Sequence, residues 1–305
     1  MAVVNLATKK FIDITQIQQN SIETGFKDVD KLIGDLKRQE LSFILGRNGE
    51  GKSTVALQMA GHHVMRGKEV FYYNGELSDY KYQLWLYTQI IGNNPAMYDK
   101  VKTKYKEVLT PKREAIHAIK RWHNNKLWVH EQDKLLTTKS INGLIEDMKV
   151  ARERGCDLYI IDNLMTAMES NASSINSDQT NFASKCKDFS IAYDAHVSIL
   201  CHPTKESEEL EIGDEKGTLK KKSISGSNNM ANYGDVIIAV ERIIKDFDKM
   251  SNGCQAGHDA LITILKDRED SIRTVFKYYF SNETKRFYNN ETIEHVVYGW
   301  EKYLK

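Results

Sequence analysis

Residues 41–53 read LSFILGRNGEGKS and contain the pattern that decides the fold, which is an apolar run, a glycine-rich loop and the start of a helical repeat. The run 41–45 predicts a buried β-strand, and residues 53–66 place apolar side chains at helical spacing. Between them, residues 46–53 satisfy GxxxxGK[ST], in which glycines let successive backbone N–H groups converge on a phosphate. An ordinary glycine-rich turn is the alternative interpretation, and the flanking strand and helix argue against it.

The composition is that of a globular protein. Of the 305 residues, 41% are hydrophobic and only three are proline, and the mean hydropathy is −0.52, which argues against disorder and membrane burial. No run approaches the roughly 18 apolar residues of a spanning helix, and the first residues lack the apolar core of a signal peptide. The sequence therefore predicts a cytoplasmic protein, in the host cytoplasm if it is viral, with no membrane partner.

Charge and cysteine usage exclude some other classes of site. The net charge is +1, so any affinity for nucleic acid has to come from local patches and not from the whole molecule. The four cysteines are scattered, with no CxxC pair and no histidine at ligand spacing, which indicates neither a zinc site nor a disulfide framework.

Apolar runs alternate with helical patterns along the chain. The runs that predict strands are residues 41–45, 69–74, 126–130, 157–162, 196–201, 236–240 and 261–265. The helical patterns are residues 53–66, 80–91, 138–154 and 181–194. This alternation predicts an α/β fold with a mostly parallel, twisted sheet flanked by helices. The late runs 261–265, 274–280 and 286–289 follow one another without helices, which predicts antiparallel C-terminal strands. Residues 1–22 are interpreted as an arm or linker, and residues 23–305 as one domain.

A nucleoside triphosphate with Mg²⁺ is the ligand that the glycine-rich loop predicts. Lys52 should bridge the β- and γ-phosphates, and the Ser53 hydroxyl should bind Mg²⁺. The residues expected to hold the nucleotide are Gly46, Arg47, Asn48, Gly49, Glu50, Gly51, Lys52, Ser53 and Thr54.

Two acids complete the predicted chemistry. Asp162 ends the apolar run 158–162, as required of a carboxylate that holds the Mg²⁺ hydration shell, although an acid after a strand is common in α/β proteins. Glu76 follows the strand 69–74 and a turn, where a carboxylate can orient and activate the attacking water. From the sequence pattern alone, Glu76 is interpreted equally well as an acid in the first turn of the following helix.

Three of these segments in order, GRNGEGKS, VFYYNGELS and LYIIDNL, make the chain resemble the RecA-like helicase core of the DnaB, Twinkle and phage primase-helicase family. The segments ETGFKDVDKLIGDLKRQELSFILG, SILCHPTK, ISGSNNMANYGDVIIAVER and ILKDRED extend the resemblance over about residues 23–288. It implies a RecA-like phosphate-binding-loop fold and a replicative DNA helicase driven by ATP or dTTP with Mg²⁺. It also implies a homohexameric ring with active sites between subunits, 5′→3′ movement on single-stranded DNA, and a primase, polymerase or loader as partners.

The resemblance implies roles for further residues. His202 matches a polar sensor of the γ-phosphate, with a strand-end capping residue as the alternative. Arg268 matches an arginine finger donated to a neighbour's triphosphate, assisted by Lys266, whereas composition alone favours solvated charges. Arg242 and an aromatic residue near Phe280 match the positions that sandwich the base, and core packing is an equally good interpretation of Phe280.

The family's DNA loops would fall near residues 171–180 and 205–223, where a solvated surface loop is the alternative interpretation. The residues implied to contact DNA are Lys205, Lys216, Lys220, Lys221, Lys222, Ser225, Gly226, Ser227 and Asn232. The family's Arg-Gly-Ser-Gly is Ser225-Gly226-Ser227-Asn228 here, and its following Gln is Asn232, so Ser225 stands where the family has Arg. For the arm, the family suggests packing on the adjacent subunit through Phe11, Ile12, Ile14 and Ile17.

Two other functions stay open at this point. One is a RecA- or RadA-like recombination or remodelling ATPase that forms filaments, and the other is a non-catalytic, nucleotide-dependent DNA-binding subunit. The sequence leaves open the preferred nucleotide, a ring against a filament, and whether a primase or other domain precedes the core in a longer protein.

Overall fold

The structure, a computed structural model, describes residues 14–105, 107–130, 141–167, 175–208, 218–224, 230–243, 258–289 and 296–304. Its strands are β1 (Leu41–Leu45), β2 (Val70–Asn74), β3 (Tyr98–Lys102), β4 (Glu107–Pro111), β5 (Leu127–Val129), β6 (Leu158–Asp162), β7 (His196–Cys201), β8 (Val236–Arg242), β9 (Ala260–Asp267), β10 (Thr274–Ser281) and β11 (Arg286–Tyr288). Nine of these form one sheet, and β3 and β4 form a separate hairpin.

The main sheet has the order β11-β10-β9-β8-β1-β7-β6-β2-β5. Its middle is parallel, because β1 pairs in parallel with β7 and β8, and β6 with β7 and β2. Strand β5 joins β2 in parallel, while β8, β9, β10 and β11 pair antiparallel in succession. The carboxyl ends of β1, β2, β6, β7 and β8 therefore meet at one edge of the sheet, where ligands bind in open α/β folds.

Helices cover the sheet on both faces. They are α1 (Ile14–Gln19), α2 (Lys27–Ile33), α3 (Lys52–Met65), α4 (Asp79–Ile91), α5 (Arg113–Trp122), α6 (Ile141–Glu153), α7 (Ile175–Tyr193), α8 (Lys205–Glu208) and α9 (Met230–Tyr233). Short 3₁₀ turns occupy Pro95–Met97, Lys221–Ser223 and Glu301–Tyr303. No helix within the described ranges is both long enough and apolar enough to cross a membrane.

Two apolar clusters fill the space between the sheet and its helices. Strand β1 contributes Ile44 to one cluster and Leu41, Phe43 and Leu45 to the other. All five residues of β1 are buried, as are all residues of β2, β6 and β7. Strands covered on both faces read as continuous apolar runs, which is why these strands could be recognised from the sequence.

The structure confirms the predicted α/β sheet and extends the prediction. The bounds of β1 and β7 are those predicted, and the antiparallel C-terminal strands are present. The β3–β4 hairpin, α2 and α5 were not predicted, and α7 begins at residue 175 instead of 181. Residues 138–140 of the predicted helix 138–154 lie outside the described residues, as does Cys254; the other three cysteines are free thiols and buried.

The arm is described only in part. Residues 14–19 form α1, in which Ile17 is 40% exposed. Phe11, Ile12 and the side chain of Ile14 lie outside the described residues. Ile22 is buried and exchanges backbone hydrogen bonds with Leu36.

Candidate active site

The loop that follows β1 is shaped by its glycines. A Cβ on Gly46 would lie 2.7 Å from the carbonyl oxygen of Val240, and one on Gly51 would lie 2.6 Å from the ring of Phe287. Gly51 also has φ +103° and directly precedes α3, so a side chain there is excluded by both space and conformation. The loop consequently leads the chain straight into the N-terminus of α3, where backbone N–H groups and the helix dipole favour an anion.

Lys52 is buried at the first position of α3. Its Nζ donates hydrogen bonds to the carbonyl oxygens of Gly46 (2.8 Å) and Arg47 (3.0 Å), and it lies 3.3 Å from Nδ1 of His202. Burial lowers the pKa of the ammonium group, and the nearby Glu76 carboxylate opposes that shift. The amine is therefore held at the mouth of the loop by groups that a phosphate can replace.

Asp162, at the end of β6, is fully buried. Its Oδ2 accepts a hydrogen bond from the Tyr72 hydroxyl (2.8 Å), whereas its Oδ1 is buried with no hydrogen-bond partner among the described residues. Burial raises the pKa of this carboxyl to about 6, and hydrogen bonding by the Ser53 and Tyr72 hydroxyls opposes the shift. A buried carboxylate oxygen without a partner, next to a hydroxyl, fits a hard cation such as Mg²⁺ or one of its waters.

Glu76, Asn163 and His202 form a polar cluster at the same edge. Oε1 of Glu76 accepts a hydrogen bond from Nδ2 of Asn163 and lies 3.2 Å from Nε2 of His202. Nε2 of His202 is also 3.0 Å from the Asn163 amide. The hydrogen bond with His202 lowers the pKa of Glu76, with burial acting in the opposite direction, so the carboxylate stays ionised as a base must.

The turn that carries Glu76 is fixed by its neighbours. The Asn74 side chain bonds to both the N–H and the carbonyl of Leu77, and the Gly75 N–H donates to the Asp162 carbonyl. Any side chain at Gly75 would collide with Thr166. Sequence analysis placed Glu76 here but missed Asn163, for which the signal was its position directly after Asp162.

Arg47 and Glu50 bond to each other within the loop. Oε2 of Glu50 accepts from the Arg47 N–H (2.7 Å), and its Oε1 accepts from the guanidinium (3.1 Å). The guanidinium also lies 3.2 Å from the Glu241 carboxylate of β8. Asn48 and Gly49 are exposed, and Thr54 is buried. The loop therefore presents its tip to solvent while Arg47 is engaged with β8.

The residues matched to a base sandwich lie beside the same loop. The Arg242 guanidinium stacks on Phe280 at 4.1 Å from the ring centroid, and Phe280 contacts Phe287 at 5.2 Å between centroids. Phe287 in turn packs against Gly51. Phe287 was not singled out from the sequence, because only the tertiary fold brings β11 to the loop.

Arg268 and Lys266 lie at the other end of the sheet. Asp267 pairs with Val236, the first residue of β8, and the Arg268 N–H donates to the Asp235 carbonyl. The half-exposed Arg268 side chain forms an ion pair with Asp235 (2.8 Å) and donates to the Asn232 carbonyl (2.7 Å). Burial lowers the pKa of Lys266 to about 8. Neither cation is brought to the phosphate loop of its own chain.

Part of the predicted DNA-contacting set can be placed. Lys220, Lys221 and Lys222 line a cavity of about 750 Å³ together with Asn232 and Arg273. Lys205 is exposed at the start of α8. Lys216, Ser225, Gly226, Ser227 and residues 168–174 lie outside the described residues.

Comparison with known proteins identifies the family of the chain. Residues 10–208, more than half of the chain, match the AAA domain family. The chain belongs to the AAA domain family. No match was found among curated proteins.

Solved structures similar to this AAA domain protein include a DnaB-like replicative helicase described with its interactions with primase. It has a TM-score of 0.68 and 15% identity, and the match covers 87% of this chain and 62% of that one. A second solved structure, described as an ATPase domain, has a TM-score of 0.67 and 15% identity, with 88% of this chain and 91% of that one covered. The AAA domain protein thus shares the fold of these two structures, and it spans less than two thirds of the first of them.

Proposed function

We propose that the protein is a ring-forming DNA helicase that hydrolyses ATP or dTTP, moves 5′→3′ on single-stranded DNA and separates duplex strands. The observation that carries the proposal is the distribution of its reactive groups. Lys52, Asp162, Glu76 and His202 converge at one edge of the sheet, whereas Arg268 sits at the opposite edge. Within the described residues, Arg268 does not reach the phosphate site of its own chain, so it is free to serve as the arginine finger of a neighbour's site.

Substrate binding follows from the loop. The triphosphate takes the place of the two carbonyl oxygens as partner of the Lys52 ammonium, while the loop N–H groups and the α3 dipole bind the phosphates. Ser53 and Asp162 would hold Mg²⁺, which supplies neutralisation of the phosphate charge when bound. Arg242 and Phe280 lie where a base can stack beside the loop.

Hydrolysis is assigned to the polar cluster. Glu76 orients the attacking water and accepts its proton, and the hydrogen bond with His202 keeps that carboxylate ionised. His202 touches both Lys52 and Glu76, so it can respond to the γ-phosphate and report its loss. Asn163 donates to the same carboxylate oxygen of Glu76 and so helps His202 to restrain it.

Movement along DNA is assigned to the assembly. In a homohexamer each active site lies between subunits, so hydrolysis loosens one interface at a time and shifts the DNA-contacting residues by one step. Lys205, Lys216, Lys220, Lys221 and Lys222 can neutralise phosphates without reading bases, as movement along any sequence requires. We place the protein in the cytoplasm, the host's if it is viral, with a primase, polymerase or loader as partners.

The test is an assay of hydrolysis and fork unwinding on a preparation of known mass in solution. We expect turnover that single-stranded DNA stimulates, unwinding of a forked duplex with a 5′ tail, and loss of both in Glu76→Gln. That variant should still bind Mg²⁺-nucleotide, since its loop is intact. Filaments without unwinding would support the recombination ATPase, and absence of turnover in an assembled sample would support the non-catalytic subunit.

A further inference from the structure

The second residue of the phosphate loop is tied to a distant part of the chain. Besides its bonds to Glu50, the Arg47 guanidinium donates from Nε and Nη2 to the Ser207 carbonyl (3.1 and 2.8 Å) and from Nη2 to the Thr218 hydroxyl (2.7 Å). Nη1 lies 3.2 Å from Oε1 of Glu241. The loop that binds phosphate is therefore bonded to residues that follow it by more than 150 positions.

Glu241 is the centre of this cluster. It is fully buried near the end of β8, and its Oε1 accepts hydrogen bonds from the Thr218 hydroxyl (2.6 Å), the Thr218 N–H (2.9 Å) and the Leu219 N–H (3.3 Å). Its Oε2 has no partner within the described residues. Because the Glu241 carboxylate is buried and has few alternative partners, any movement of Arg47 or Thr218 should disturb its hydrogen bonds.

The cluster connects the amine of the phosphate site to a basic turn. Lys52 bonds the Arg47 carbonyl, Arg47 bonds Glu241 and Thr218, and Thr218 leads within two residues to Lys220. The Lys220 N–H and the Ser223 hydroxyl close the turn at 3.0 Å, and its lysines line the 750 Å³ cavity. When bound nucleotide draws the Lys52 amine onto a phosphate, the hydrogen bond from Lys52 to the Arg47 carbonyl is lost. That hydrogen bond is the first in the series of contacts that runs from Lys52 to Lys220.

We propose that Glu241 and Thr218 are positioning residues that couple the phosphate loop to the lysine turn 220–222, so that nucleotide occupancy sets how strongly this turn holds the phosphates of single-stranded DNA. The inference rests on the proposed function and specifies its regulation. Coupling is reciprocal, so DNA on the lysine turn also changes nucleotide binding at the loop.

The test compares Thr218→Val with Thr218→Ser. Valine removes the hydroxyl that bonds both Arg47 and Glu241, whereas serine keeps it. We expect Thr218→Val to hydrolyse nucleotide without DNA at the wild-type rate and to lose DNA stimulation by about fivefold or more, with stimulation restored in Thr218→Ser. Thr110→Val is the matched control, because Thr110 lies on β4, away from the phosphate loop and the lysine turn.

A second measurement needs no DNA. Hydrogen exchange at the Leu219 amide should change by about threefold or more when Mg²⁺-nucleotide is added to the wild type, and stay unchanged in Thr218→Val and Glu241→Gln. Stimulation or an exchange response in Thr218→Val equal to the wild type overturns the inference. A wild type that shows the exchange response but no DNA-stimulated turnover contradicts the proposed function instead, while the link itself stands.

Discussion

Among single residues, Asp162 is a fully buried carboxyl that is also the proposed Mg²⁺ ligand. Burial raises its pKa from 3.8 to about 6. A carboxyl whose folded pKa lies above its unfolded value favours the fold below 3.8, and that contribution is lost as the pH rises through about 6. Above that pH, and without a cation, the ionised carboxylate destabilises the protein by on the order of 3 kcal/mol.

We expect Asp162→Asn to stabilise the magnesium-free protein at alkaline pH while abolishing hydrolysis. The amide carries no charge to desolvate and can still accept from Tyr72. The midpoint of thermal unfolding should rise by about 5 °C at pH 8 and by about half as much at pH 5. The exposed Asp188→Asn is the control. A variant less stable than the wild type at pH 8 contradicts the assignment of burial as the cause.

At the scale of elements, the β3–β4 hairpin contributes little to the core. Val101 is 46% exposed and Tyr105 86% exposed, and Leu109 is also exposed. The hairpin is attached at its base, where the Tyr98 hydroxyl donates to the carbonyls of Thr88 and Gly92 at 3.1 Å. The base of the hairpin, and not its outer part, should therefore bear on the stability of α4.

We expect replacement of residues 101–108 by Gly-Gly to leave the fold and nucleotide binding intact. The midpoint of thermal unfolding should stay within about 2 °C, since little apolar area is uncovered. Tyr98→Phe is the comparison, and it should cost about 1 kcal/mol because it removes the hydrogen bonds at the base. A large fall in the midpoint of thermal unfolding on shortening would mean that the outer hairpin packs on the domain. Calorimetry of the shortened protein and of Tyr98→Phe measures this midpoint.

The elements that the sequence predicted are those whose signal is local. Strands β1 and β7 are buried on both faces and read as unbroken apolar runs, so even their ends were predicted. Helix α7 begins with INSDQT, in which Ile175 is the only apolar residue, so this segment carries no apolar period. The hairpin was missed because its strands are mostly exposed and polar.

The candidate site divides in the same way. Lys52 and Ser53 follow from the spacing of the loop, and Asp162 follows from its place at a strand end. The contacts of Glu76 with Asn163, of Gly51 with Phe287, and of Thr218 with Glu241 join residues far apart in the chain. Such contacts depend on how the sheet is assembled, which no local pattern encodes.

For the whole molecule, the proposal requires that two chains share each reaction centre. Lys52→Ala and Arg268→Ala should each abolish hydrolysis, for lack of the amine in one case and of the finger in the other. Mixed in equal amounts and allowed to exchange subunits, they should recover about a quarter of wild-type turnover, the fraction of interfaces that pair an intact loop with an intact finger.

The control is Lys52→Ala mixed with the double variant Lys52→Ala/Arg268→Ala, in which no interface is complete and turnover should stay absent. Subunit exchange is verified by mass or fluorescence transfer. Full activity of Arg268→Ala alone, or no recovery in the exchanged mixture, contradicts the shared site.

The separation of Lys52 and Arg268 to opposite edges of one sheet also sets when the protein can consume nucleotide at all. If two chains share each reaction centre as proposed, a chain diffusing alone has half of a centre at each edge and should hydrolyse nothing. The protein concentration then decides whether nucleotide is hydrolysed, because specific turnover should rise steeply at the concentration where protomers begin to associate. On the proposed mechanism, newly synthesised protein should therefore avoid idle hydrolysis without any dedicated inhibitor.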